Sequence, residues 1–224
     1  MIIKVLASGS KGNCYLVDDG QTKILIEAGI SWREIQCKLD FKTSEIQACL
    51  ISHMHQDHCK AINEVRKFGI PIFSPAYIQS GDRFTVPITN HTWNILAFDA
   101  VHDVPCLGFL LESVTSGEKL LYLSDSAYCK YRFEGLTHIM IGTNYDADLL
   151  NKSIAEGTVD RSERHRLIHA HASLQTVKEM LLANDLSKVQ GIWLLHLSSR
   201  NADAERFKKE IQELTGKVLH LPDE

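Results

Sequence analysis

The stretch Ile51-Ser52-His53-Met54-His55-Gln56-Asp57-His58-Cys59 decides how this chain is read, because three histidines and one aspartate follow an apolar run within six positions. On a regular strand His53 and His55 would share a face, while Asp57 and His58 would point oppositely. A loop can instead wrap all four around one small volume. Neutral imidazoles with a carboxylate are the donors zinc prefers, at about 2.0–2.2 Å, and manganese or iron also accept such a mixed set. The pattern reads as a metal loop between a buried strand and a helix, with room for two ions rather than one.

Four ligands do not complete a dinuclear site, so further His or Asp residues are expected where later strands run out. His102 follows the apolar run ending Leu96-Ala97-Phe98, Asp125 follows Leu120-Leu121-Tyr122-Leu123-Ser124, and His196 follows Ile192-Trp193-Leu194-Leu195. Each alone reads as a loop or capping residue. Together, after the histidine motif, they read as the rest of a ligand set.

The 224 residues are 44% hydrophobic and 23% charged, which fits a soluble globular chain and excludes disordered and fibrous classes. We expect one domain over 1–224, since no repeat, low-complexity tract or linker divides it. A formal charge of -4 gives no strong overall field toward nucleic acid or an anionic membrane. The six cysteines include no C-x-x-C pair and are expected to be reduced. The apolar run at the N-terminus is too short for a signal-peptide core or a membrane span, so a cytoplasmic protein with no membrane partner is the expectation.

Segments rich in β-branched residues predict strands at 2–6, 14–17, 23–26, 49–51, 93–98, 107–112, 119–123, 138–141, 191–195 and 217–221. Asp18-Asp19-Gly20 and Ser116-Gly117 predict tight turns, so the strands are expected to come in hairpins. Helical spacing covers 31–39, 60–68, 173–183 and 202–214, with Ser173 as an N-cap, Gly69 and Gly216 as stops, and Val177, Met180, Leu181 and Leu182 in one apolar stripe. The polar stretch 144–169 predicts a loop or short helices over a site.

These motifs together resemble the metallo-β-lactamase fold superfamily, in its phosphodiesterase branch. The resemblance runs in order through Ser8-Gly9-Ser10-Lys11-Gly12-Asn13, the S-H-M-H-Q-D-H stretch, Val101-His102-Asp103-Val104-Pro105, Ser124-Asp125-Ser126 and Leu195-His196-Leu197-Ser198. The pattern is similar to small bacterial exonuclease-like metallohydrolases and to tRNA 3′-processing endonucleases, whose His-Ser-Thr-like element is represented by His171-Ala172-Ser173. It implies an α/β chain folded as an αββα four-layer sandwich. It also implies two divalent ions, with zinc expected and manganese the second choice. His53, His55 and His102 would hold one, Asp57, His58 and His196 the other, and Asp125 would bridge them. A hydroxide between the ions would attack the phosphorus. Asp57 and His171 are the expected catalytic groups, His171 protonating the departing oxygen.

Arg161, Arg164, His165, Arg166 and His169 form the densest basic stretch. Arg164 and Arg166 read as a phosphate clamp, since guanidinium forks match phosphate oxygens. A solvated charged segment is the alternative, because Glu156, Asp160 and Glu163 dilute the charge. Asn13, in the N-terminal loop, is a further expected substrate contact. Three positions depart from the group's pattern: Glu27 stands where Asp is common, Tyr145 where His is common, and Gly142 where an acidic residue is common.

The expected function is therefore a dinuclear-metal hydrolase of phosphodiester bonds, a nuclease on DNA or RNA. A phosphodiesterase of small cyclic nucleotides is the alternative, favoured by the acidic balance. A glyoxalase II-type thioesterase, or a noncatalytic metal-binding module blocked by Cys59 or Tyr145, would be a third class. Relatives are often homodimers, so the resemblance leaves that assembly open.

Overall fold

A computed structural model describes residues 1–86 and 92–222, with Arg161 described by its backbone alone. The chain packs into two compact units: Met1–Asp99 with Leu107–Lys119, and Ala100–Cys106 with the chain from Leu120 onward.

In the first unit, β1 (Ile2–Ala7), β2 (Cys14–Asp18), β3 (Lys23–Ile26), β4 (Ile46–Leu50) and β5 (Ile72–Phe73) form a sheet in sequence order. The first three strands pair antiparallel, but β3, β4 and β5 are parallel. Asp19 shapes the β2–β3 turn, its Oδ1 accepting from the backbone of Gln21 and Thr22 at 3.0 and 2.7 Å. Helix α1 (Trp32–Lys38) joins β3 to β4 and starts in a capping box between Ser31 and Glu34. Two short helices, α2 (Gln56–Cys59) and α3 (Ile62–Lys67), join β4 to β5. Leu25, Ile35, Cys49, Ile51 and Val65 make the fully buried centre of the core between sheet and helices. The same unit carries β6 (Arg83–Val86) antiparallel to β7 (Trp93–Ala100), followed by β8 (Cys106–Ser113).

The second unit is a parallel sheet in the order β9 (Lys119–Leu123), β10 (His138–Gly142), β11 (Gly191–Leu195), β12 (Val218–His220). Parallel strands covered on both faces read as unbroken apolar runs, and every residue of β10 is buried. Between β10 and β11 lie α4 (Ala147–Ala155), α5 (Arg161–Ala170) and α6 (Leu174–Leu182), and α7 (Ala204–Thr215) precedes β12. Each begins at a side-chain cap, respectively Asp146, Asp160, Ser173 and Asp203. Gly216 ends α7 in the left-handed conformation at φ 66°, as its place in the sequence predicts.

Several expectations need correction. Five of the strand pairs with a described register are parallel, so hairpins do not account for all of the pairing. Of the two forms expected for the stretch 144–169, it takes the second, with short helices of 9 and 10 residues. Leu182 does not join the stripe of Leu174, Val177 and Leu181, being 61% exposed. Strands β5 and β6 were not anticipated, and the strand expected at 49–51 runs from Ile46 to Leu50. Among the described residues, no helix is long and apolar enough to cross a membrane.

Candidate metal centre

Each unit gathers its own share of the expected ligands. In the first, the chain leaves β4 under restraint: Ile51 donates its N–H to Phe73 O at 2.8 Å, and Ser52 O accepts from Leu107 N at 2.9 Å. Both carboxylate oxygens of Glu27 accept from the backbone N–H of Ser52 at 3.2 Å. The histidine loop is also bolted to two neighbouring loops, since Asn13 N donates to Asp57 O at 2.7 Å and Ala28 N to His58 O at 2.8 Å. A Cβ on Gly29 would stand 1.7 Å from Asp57 O, so only glycine permits this approach.

Within that loop Nε2 of His53 lies 3.1 Å from Nδ1 of His55. Two ligands of one tetrahedral zinc, each at about 2.0–2.1 Å, are about 3.3 Å apart. The other nitrogen of His53, Nδ1, meets Ser52 Oγ at 2.9 Å. Next along the chain, Nε2 of His58 lies 3.5 Å from Oδ2 of Asp57, and Nδ1 of His58 faces Glu27 Oε1 at 3.4 Å. Metal-binding histidines commonly turn their second nitrogen to such a carboxylate or hydroxyl, which fixes the ring. Glu27 itself is fully buried and sits at φ 61°, a left-handed conformation costly for a side chain of this kind.

In the second unit His102 lies just beyond β7. Its Nδ1 meets Ala170 O at the end of α5 at 2.8 Å, which directs Nε2 away from the helix. Nε2 lies 3.1 Å from Asp103 Oδ1. Asp125 is buried just beyond β9, with Oδ1 accepting from Ser124 Oγ at 2.9 Å and Oδ2 lying 3.8 Å from Nε2 of His196. His196 follows β11 at φ 51°, another left-handed position. The Asn144 amide nitrogen is 2.9 Å from both Nδ1 and the carbonyl oxygen of that histidine. Nδ1 of His171 lies 3.7 Å from Asp125 Oδ2, and its ring stacks on that of His196 with centroids 5.3 Å apart.

His171 is the C-cap of α5 as well as a neighbour of the Ser173 cap of α6. The C-terminal end of α5 therefore meets the N-terminal end of α6 beside this ring.

The donors in each unit fit divalent ions: imidazole and carboxylate atoms converge in pairs at the spacing of a shared coordination shell, and the rings of His53, His58, His102 and His196 are oriented through their other nitrogens. Other expectations fare differently. Asn13 is fully buried, and its amide serves the protein itself: Oδ1 accepts from Gly9 N and Tyr15 Oη, while Nδ2 reaches Gly9 O, Asp57 O and His58 Nε2. It shapes the ligand loop and is not placed to meet substrate. Arg164 and Arg166 are exposed on α5, whereas the side chain of Arg161 lies outside the described residues. Cys59 is buried and donates to Met54 O at 3.4 Å, with burial pushing its thiol pKa up. Tyr145 packs with Leu150 and Val159, and burial raises its pKa too. Neither is displayed as the blocking group a noncatalytic module would need.

Sequence reasoning missed Asn144 and the Ala170 carbonyl as supports of His196 and His102. It noted Glu27 and Gly142 only as departures. A Cβ on Gly142 would meet Ser124 O at 2.1 Å, so an acidic side chain has no place there beside Asp125.

Residues 7–73 match the family model described as the metallo-beta-lactamase superfamily. The chain is 24% identical to the exodeoxyribonuclease WalJ of Streptococcus pneumoniae, over 88% of this chain and 81% of that protein. Among solved structures it resembles the metallo-beta-lactamase fold protein YhfI of Bacillus subtilis, with TM-score 0.71, 15% identity and coverage of 98% and 94% of the two chains. The short form of human tRNase Z is similar with TM-score 0.61, 14% identity and coverage of 99% and 96%. The likeness to these structures shows that the chain has the metallo-β-lactamase α/β fold, with two sheets and flanking helices.

Proposed function

We propose that this chain is a metal-dependent hydrolase of phosphodiester bonds whose substrate is nucleic acid, DNA or RNA. The observation carrying this reading is the pairing of donor atoms in each unit, 3.1 Å between His53 and His55 and 3.8 Å between Asp125 and His196, with the His53 and His196 rings held through their other nitrogens. The likeness to an exodeoxyribonuclease and to a tRNase Z supports the choice of diester over β-lactam or thioester.

In this proposal residues 1–224 form one hydrolase domain. His53, His55 and His102 hold one ion, Asp57, His58 and His196 a second, and Asp125 serves both; zinc is the proposed metal, with manganese the alternative. Ions so held supply Lewis acidity, lowering the pKa of a water toward neutrality and offsetting charge on the phosphate. Asp57, whose side chain keeps 27% exposure, accepts a proton as attack proceeds. His171 turns Nδ1 toward Asp125, which leaves Nε2 to protonate the departing oxygen. Arg164 and Arg166 meet neighbouring phosphates. Among the described residues none of the six cysteines is in a disulfide, which suits a reducing compartment, and we place the protein in the cytoplasm.

Elemental analysis of the purified protein tests the metal. A panel of single-stranded DNA, duplex DNA, RNA and cyclic mononucleotides, each with Zn²⁺ or Mn²⁺ and with Asp125→Ala as control, tests the substrate. Cleavage confined to cyclic mononucleotides would replace the nuclease reading, and no diester cleavage would end both.

A further inference from the structure

Asp125 is followed by Ser126-Ala127-Tyr128-Cys129-Lys130-Tyr131-Arg132-Phe133, a run with two cationic side chains and no acidic one in a chain of net charge -4. It forms no helix or strand, yet both its ends are fixed. Ser126 Oγ accepts from Val101 N at 2.9 Å and donates to Tyr128 O at 2.7 Å, and Ala127 N donates to Val101 O at 2.8 Å. At the far end Phe133 N donates to Asn184 Oδ1 at 2.8 Å. The loop is therefore tied to the segment that carries His102 and begins beside Asp125.

What this anchored loop presents is unusual for a solvated connection. Tyr128 is 51% exposed although the backbone beneath it is pinned. Lys130 and Arg132 are exposed on either side of Tyr131, and the Lys130 ammonium lies over the Tyr131 ring, 5.1 Å from its centroid. Aromatic rings interleaved with cations are the physical signature of a single-strand surface: a ring stacks on any unpaired base, and cations track the phosphates. Three residues of chain span about 10 Å at most, so Tyr128 cannot be far from a phosphate that reaches Asp125.

We propose that the loop from Tyr128 to Arg132 is a base-stacking platform for unpaired nucleic acid, with Tyr128 stacking on a base flanking the scissile phosphate and Lys130 and Arg132 contacting backbone phosphates. This rests on the nuclease reading above and narrows its substrate to single strands or unpaired ends, since a paired base offers no free face. Compared with the basic positions of α5, it adds an aromatic group able to hold a base.

The test is fluorescence anisotropy of the metal-loaded full chain with a labelled, hydrolysis-resistant phosphorothioate single strand, an abasic strand of the same length and a blunt duplex. Tyr128→Ala is expected to weaken the ordinary strand roughly tenfold and to leave abasic-strand binding as it was, while Tyr128→Trp restores the loss. Lys130→Ala and Arg132→Ala are each expected to lower the slope of log affinity against log salt by about one. Equal affinity of wild type and Tyr128→Ala for the ordinary strand overturns the platform, as does an equal loss on the abasic strand. If base-dependent binding persists but no diester in the substrate panel above is hydrolysed, the hydrolase reading falls and the platform stands. If strands are cut and Tyr128→Ala binds like wild type, the reverse holds.

Discussion

Asn144 grips His196 twice, its amide nitrogen donating to the histidine carbonyl at 2.9 Å and standing 2.9 Å from ring Nδ1. The first contact supports a backbone at φ 51° that a histidine seldom adopts. The second selects the tautomer. An amide N–H at Nδ1 keeps the ring proton on Nε2, whereas turning the amide over would offer Oδ1 to an Nδ1–H and free Nε2 for an ion. Oδ1 is buried and has no hydrogen-bond partner among the described residues, so turning would give it one while losing the bond to the histidine carbonyl.

Asn144→Leu is accordingly expected to lower metal affinity by roughly 10- to 100-fold. Asn144→Asp, which offers only acceptors to the ring, should retain metal. Competition with a chelating dye measures both, and ¹⁵N shifts of His196 report the tautomer; equal affinity in the leucine variant would remove this role.

Glu27 makes the corresponding contact in the first unit, bonding Ser52 N through both oxygens and facing His58 Nδ1 at 3.4 Å. Glu27→Gln keeps an acceptor for Ser52 but loses the charge opposite the ring, and a drop in metal affinity of roughly tenfold is expected. Glu27→Ala should also lower the melting temperature of the metal-free protein, since it leaves the buried Ser52 N–H without this acceptor.

Gly142→Ala should disturb the site without touching a ligand. The added carbon would overlap Ser124 O, and relief requires moving the backbone that carries Asp125. A loss of about 1–3 kcal/mol is expected from overpacking, visible as a shifted denaturation midpoint together with reduced metal content.

His171→Ala is expected to lower turnover roughly 10²-fold or more if this ring protonates the leaving oxygen. Metal content should stay as in the wild type. Substrates with a leaving group that needs no proton, such as bis-p-nitrophenyl phosphate, should lose much less.

The thiols offer a check on the first unit's core. Cys14 and Cys49 are buried, and desolvation pushes both pKa values up, so near pH 8 they remain thiols rather than reactive thiolates. Cys37 is exposed. Alkylation of native protein followed by mass spectrometry should modify Cys37 well before either buried thiol.

Local signals explain which parts of the fold were legible. Strands at Lys23–Ile26, Lys119–Leu123 and Gly191–Leu195 stand where their apolar runs end. The direction of pairing was hidden, because a buried run looks alike in parallel and antiparallel neighbours. Strand β5 has only two residues and leaves almost no pattern. Helix α5 escaped because its apolar contribution is the adjacent pair Leu167 and Ile168 amid charged residues, too little to show a stripe. The ligand-type residues were legible since His and Asp at strand ends are informative in themselves. Their supports were not: that Asn13 is turned inward, or that a helix carbonyl orients His102, depends on contacts across 44 and 68 positions of chain.

Parallel pairing makes the second unit's share of the proposed ligands depend on distant segments of chain. Asp125 and His196 lie beyond β9 and β11, and β10 runs between those two strands. His53 through His58, by contrast, are neighbours in the polypeptide and emerge together during synthesis. Under the proposed ligand set an early-arriving cation would meet only half of its donors, so chelator present during refolding, then withdrawn, should give a higher yield of metal-loaded protein than zinc supplied from the start.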